Sequence, residues 1–180
     1  MDFSRERKKD MNNFNQETIL IAVICIAVLA LFYAASLFSS VKKENSGNKR
    51  MRDLSSYIHE GALAFLKREY KIIVVFVIVI ACLLTGLGFF PSLQGIDGVG
   101  INGAVCFIIG ALFSGLAGFI GMQAATIANA KTAQAAREGG MPAALHVAFN
   151  GGSVLGISVV GLGLLGLAGL YLIFTFIFKD

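Results

Sequence analysis

The stretch "GMQAATIANAKTAQAAREGG", residues 121–140, decides the fold. Its Ala, Gly, Thr and Asn side chains are too small for an ordinary hydrophobic core. With only Lys131, Arg137 and Glu138 charged, it is also too poor in charge for a solvated helix. Nothing between Met122 and Arg137 breaks a helix, and Gly139-Gly140 supply a C-terminal stop. Such a run suits a helix that other helices approach closely.

The rest of the chain supplies those neighbours. Of 180 residues, 56% are hydrophobic and 14% charged, against about 45–50% and about 25% in soluble domains. Thr18 to Val41, Ile72 to Ile96, Gly98 to Ala130 and Val147 to Phe178 contain no Asp, Glu, Lys or Arg, and about 20 apolar residues suffice to cross a bilayer. The expected architecture is an all-α polytopic membrane protein with four transmembrane helices and one interfacial amphipathic helix. After an N-terminal tail (1–18), the first span covers 19–38 and a basic connection covers 39–71, with the amphipathic helix at 51–70. The second span covers 72–90, where Pro91 and the Gly-rich "PSLQGIDGVG" stop it, and an external loop follows at 91–100. Long third and fourth spans cover 101–138 and 142–178, with Pro142 in the first turn of the fourth. At roughly 55 Å each, both exceed a hydrocarbon core of about 30 Å and should project into water at their connecting end.

Basic residues orient the spans. Lys42, Lys43, Lys49, Arg50, Arg52, Lys67, Arg68 and Lys71 lie between spans one and two, and Lys131 and Arg137 between three and four. The opposite side holds Arg5, Arg7, Lys8, Lys9 and Lys179. The balance places connections 39–71 and 131–141 in the cytoplasm and both termini outside. The basic tail opposes this for the first span alone, and a translation start at Met11 instead of Met1 removes the conflict. Cleavage as a signal peptide is disfavoured, because the apolar run exceeds the usual 7–15 residues.

In "MRDLSSYIHEGALAFLKREY", Leu54, Tyr57, Ile58, Gly61, Ala62 and Phe65 form an apolar stripe opposite Arg52, Asp53, Ser56 and Glu60. This helix is expected to lie flat at the cytoplasmic interface or against neighbouring helix ends. Lys-rich "VKKENSGNKRMR" offers attraction for anionic headgroups beside its topogenic role.

Sharper motifs fail. "GVGING" (Gly98, Gly100, Gly103) and "GLGLLG" (Gly161, Gly163, Gly166) satisfy G-x-G-x-x-G, yet neither follows a strand or has an acidic residue about twenty positions on. Cys25, Cys82 and Cys106 are scattered in apolar runs, and His59 and His146 lack ligand-spaced partners. No span carries an ionisable group that could serve as a proton relay or cation site. No catalytic, cofactor-binding or metal residue is therefore assigned. The positive signal is small side chains: Gly110, Ser114 and Gly118; Ala111 and Gly115; Gly121, Ala125, Ala128, Thr132 and Ala136; and the pair Gly152 and Gly156. Close helix contact is expected there, above all between Gly152 and residues 118–125.

Residues 118–156 carry a resemblance, through Gly118, Gly121, Met122, Ala125, Thr126, Ala128, Asn129, Thr132, Ala133, Ala135, Ala136, Gly139, Ala144, Leu145, Ala148, Phe149, Gly151, Gly152, Val154 and Gly156. Upstream, "IHEGALAFLKREYK" adds Ile58, Glu60, Gly61, Ala62, Phe65, Leu66, Glu69 and Tyr70. Over about residues 19–178 the chain resembles the amino-terminal part of the membrane-bound inorganic pyrophosphatases, pumps that couple pyrophosphate hydrolysis to proton or sodium export. The resemblance implies a parent of about sixteen helices in two rings, acting as a homodimer in a prokaryotic cell membrane. It also implies pyrophosphate, magnesium and potassium sites on inner-ring helices from the fifth onward, the fifth carrying a "DVGADLVGK" motif. That motif is missing here, so no family site residue transfers, and no cofactor is expected in this chain itself. The expected role is an outer-ring scaffold, whether as a gene fragment, a truncated form or a split subunit. Its partners would be the remaining helices of the pump and lipid, with no nucleic acid. The alternative is a stand-alone four-helix structural or assembly protein.

Overall fold

The structure, a computed structural model, describes residues 3–90 and 98–177, with side chains from Glu17 to Thr175 within those ranges. All its elements are helical: α1 (Phe3–Lys43), α2 (Lys49–Leu87) and α3 (Ile101–Ile177). Each is long and apolar enough to cross a bilayer. Residues 91–97, most of the expected external loop, lie outside the described range.

α3 is two helical arms meeting at Gly140, whose φ of 68° and ψ of −162° belong to a region open essentially to glycine alone. Pro142 follows two residues later, so its missing N–H falls in the first turn of the second arm, where no helical partner is required. The arms then fold back on each other. A Cβ on Gly151 would lie 2.7 Å from the Ala128 Cβ, and one on Gly166 would lie 3.1 Å from the Phe113 ring.

The connector helix expected at 51–70 and the second span are one unbroken helix, α2. No proline interrupts residues 49–87, and open space around Gly61 lets the helix run through it. Asn48 caps its start by accepting a hydrogen bond from the Met51 N–H at 2.9 Å. α2 runs antiparallel to the first arm of α3. His59 meets Thr126, and eleven residues on, Tyr70 donates to the carbonyl of Gly115, eleven residues back. Fifteen residues further along both helices, the end of α2 at Thr85 to Gly88 reaches Gly100, whose N–H donates to the Leu84 carbonyl at 3.0 Å.

This register corrects the expected contact face of α2. Leu54, Tyr57 and Phe65 are well exposed, 59%, 70% and 59% respectively. The side turned to α3 carries Met51, Ser55, His59, Ala62, Leu66 and Tyr70. Of the apolar stripe read from the sequence, Ala62 alone lies on the side that this chain packs.

The core is a seam of small residues. Along it the second arm buries Ala144, Val147, Gly151, Val154, Ser158, Gly161 and Ala168, the first arm Ala117, Gly121, Ala124, Ala128 and Lys131, and α1 Ala27, Ala34 and Val41, with Leu162, Gly166, Ala104, Thr126 and Gln134 buried beside it. Steps of three, four and seven residues are those of a heptad seam. Small side chains along it let the backbones approach, so dispersion supplies the contact energy that the hydrophobic effect cannot supply in lipid. The face expected at Gly121, Ala125, Ala128, Thr132 and Ala136 is therefore rotated, since Ala125 and Ala136 are exposed. Gly152 and Gly156 are exposed too, and nothing lies within 4 Å of a Cβ added at either. The glycine that α3 packs on is Gly151, one residue or about 100° round the helix.

Candidate functional site

Polar chemistry collects where the α1–α2 loop meets the first arm of α3. α1 ends at Lys43 with carbonyls that no later turn can satisfy. Lys131, 7% exposed, donates from Nζ to the Lys42 carbonyl at 2.9 Å and to the Glu44 carbonyl. A cation at a helix C-terminus also meets the negative end of its dipole. Further along the arm, Glu138 accepts from the side-chain amides of Asn45, at 3.1 Å, and Gln134. Arg137 lies 3.4 Å from Gln134 Oε1 and 3.7 Å from the Met51 sulfur. The loop itself turns at Gly47 (φ 77°), whose N–H donates to Asn45 Oδ1.

One and a half turns down the same arm, Thr126 is buried and its hydroxyl contacts the Met122 carbonyl at 2.9 Å and the Gln123 carbonyl at 3.1 Å. With the hydroxyl proton directed there, His59 Nδ1–H donates to Thr126 Oγ1 at 2.9 Å. A cleft of about 290 Å³ opens beside this pair, lined among others by Ser46, Arg52, Ser55 and Ser56.

The sequence counted Lys131 only for topology and His59 as an isolated histidine. Lys131 could have been found as the one charge falling on the three-four repeat of small residues, Ala117, Gly121, Ala124 and Ala128. His59 carried no such signal, because its partner is 67 residues away. His146 pairs with Asn150 one turn on, at 3.2 Å on an exposed face. Cys25, Cys82 and Cys106 are free thiols.

Both glycine motifs serve packing. At "GVGING" an added Gly88 Cβ would lie 2.5 Å from Gly100 Cα, and an added Gly103 Cβ would overlap the Gly98 carbonyl. Gly98 and Gly100 have φ of 89° and 99°, left-handed values that favour glycine. In "GLGLLG", Gly161 admits Leu31 of α1 and Gly166 admits Phe113. Among the described residues no three His, Cys, Asp or Glu side chains are grouped so as to hold a metal ion. The described residues do not fit a resident magnesium ion.

A family model described as inorganic H+ pyrophosphatase matches residues 28–179. A K+-stimulated pyrophosphate-energized sodium pump of Thermotoga maritima is 44% identical over 150 residues, 83% of this chain and 19% of the relative. A putative K+-stimulated pyrophosphate-energized sodium pump of Clostridium tetani is 42% identical over 141 residues, 78% of this chain and 19% of the relative. A K+-insensitive pyrophosphate-energized proton pump of Methanosarcina mazei is 38% identical over 158 residues, 88% of this chain and 22% of the relative. The chain spans about a fifth of the length of these curated relatives. With the model matching far more than half of its residues, the chain belongs to the inorganic H+ pyrophosphatase family.

Proposed function

We propose that the chain is the amino-terminal, outer-ring scaffold of a pyrophosphate-energised proton or sodium pump. The single observation that carries this reading is that residues 28–179 match the family while the aligned stretch makes up about a fifth of each relative. In this reading the two arms of α3 are separate spans, giving four crossings, and both termini lie outside a prokaryotic cell membrane. The tie between the α1–α2 loop and the arm before Gly140 supports a common, cytoplasmic side for the two basic connections. Hydrolysis, magnesium, potassium and the ion gate belong to helices of the parent beyond this segment. Sodium and proton pumps match it at comparable identity, so the segment serves a need common to both.

That need is support. Ile72 to Phe76, Ile78 and Val79 of α2 are exposed, and Gly152 with Gly156 faces open space. In the homodimeric parent such surfaces meet lipid on one side and further helices on the other. A chimera tests the reading: residues 28–179 replace the matching segment of the Thermotoga maritima pump, and inverted vesicles are assayed for pyrophosphate hydrolysis and ion uptake. The chimera is expected to retain both, and the 180-residue chain alone to hydrolyse nothing. A folded but inactive chimera, or turnover by the isolated chain, would refute the scaffold role.

A further inference from the structure

The cleft beside His59 and Thr126 has no part in the scaffold role, and its chemistry is selective. Arg52, Ser55, Ser56 and His59 recur at three- and four-residue steps along one face of α2, Ser46 joins them from the loop, and Gln123 closes the far wall from α3. No Asp or Glu lines the cavity of about 290 Å³. Asp53 and Glu60 sit on α2 about a quarter-turn away. Arg52 spends one donor on the Gly47 carbonyl at 3.1 Å, and no carboxylate bonds it among the described residues. Because Thr126 engages His59 through Nδ1, Nε2 has no protein partner among the described residues. One cation, one imidazole and three hydroxyls therefore converge without an acidic competitor.

Position adds a second argument. The charge-free run of α1 from Thr18 to Val41 measures about 36 Å, so it spans a hydrocarbon core of about 30 Å. The loop that follows, with Ser46, then lies at headgroup level. Lys42, Lys43, Lys49 and Arg50 flank it and raise the local concentration of anions.

We propose that this cleft binds a phosphate oxyanion, carried by an anionic phospholipid headgroup or by free inorganic phosphate. Arg52 supplies the charge-assisted hydrogen bonds, the serine hydroxyls complete the shell, and the His59 ring lines it.

The test uses the purified 180-residue chain in non-ionic detergent. One arm titrates inorganic phosphate against chloride at matched ionic strength, and the other titrates phosphatidylglycerol against phosphatidylcholine in mixed micelles. Saturable binding of at least one phosphate-bearing probe over its control is expected. Phosphate alone identifies a free anion, phosphatidylglycerol alone a headgroup, and both a site that reads the phosphate group itself. Arg52→Gln and Ser56→Asp should each weaken binding at least about ten-fold, about 1.4 kcal/mol, while Lys67→Gln, which removes the same charge from a position outside the cleft, leaves it within about two-fold. If Arg52→Gln loses its fold with its bond to Gly47, Ser56→Asp decides, since Ser56 is exposed. No saturable binding of either probe, or Ser56→Asp binding as wild type does, overturns the proposal.

Discussion

Two adjacent glycines give the strictest test of the helical seam. An alanine at 151 would place its Cβ 2.7 Å from that of Ala128, whereas an alanine at 152 would meet nothing within 4 Å. Carbon atoms in favourable contact stand about 3.5–4.0 Å apart, so Gly151→Ala forces the arms of α3 apart locally by about 1 Å. Overpacking of this kind costs about 1–3 kcal/mol. Both substitutions also gain up to about 1 kcal/mol of helix propensity, and that gain cancels when the two are compared. Gly151→Ala should therefore be about 1–3 kcal/mol less stable than Gly152→Ala. At roughly 2–4 °C per kcal/mol for a chain of this size, the midpoints separate by about 2–12 °C. The assay is thermal loss of the monodisperse detergent-solubilised peak by size-exclusion chromatography. Coincident midpoints, or a lower one for Gly152→Ala, would refute the assignment of Gly151 to the seam.

Lys131→Met removes the cation from the end of α1 and leaves the Lys42 and Glu44 carbonyls without their donor; hydrogen bonds to charged groups contribute about 1.5–3 kcal/mol. The expected result is a lower unfolding midpoint together with faster proteolytic nicking between Lys43 and Lys49, and unchanged nicking would remove Lys131 from its capping role. Gly140→Ala imposes a side chain at φ 68° and ψ −162°, a strain of about 1–3 kcal/mol. It should loosen the hairpin, read as a lower thermal midpoint in the same chromatographic assay; a midpoint at the parental value would show that the reversal does not depend on glycine. Cysteines at Ser46 and Ala136 should react with impermeant maleimide only in inverted vesicles. Ala136 is used because it is exposed, whereas Gln134 is buried and held by Glu138.

How much of this the sequence disclosed depended on the range of the interaction. Gly139-Gly140 followed by Pro142 announced a reversal through local backbone chemistry, and the structure puts it at Gly140. The density of Gly and Ala in residues 110–156 announced close packing, but composition does not fix rotation. Rows at i, i+4 run through both Gly152–Gly156 and Gly151–Leu155, and only the docked neighbour, Ala128, selects between them. α2 follows the same logic. Its apolar stripe at Leu54, Tyr57 and Phe65 is more hydrophobic than the face that packs on α3, because in this chain two hydrogen bonds, at His59 and Tyr70, fix its rotation.

Those two bonds also explain why the polar site escaped sequence reasoning. Each joins residues at least 45 positions apart, and no periodicity in α2 or α3 alone encodes the pairing. Once the register is set, the consequences are forced. The face of α2 bearing Tyr70 and Leu66 must continue through His59, Ser55 and Arg52, since all lie on one helix without a break. That face meets α3 along its length, with Met51 beside Arg137, His59 on Thr126 and Tyr70 on the Gly115 carbonyl, and the cleft lined by Arg52 and Gln123 lies beside the His59 contact.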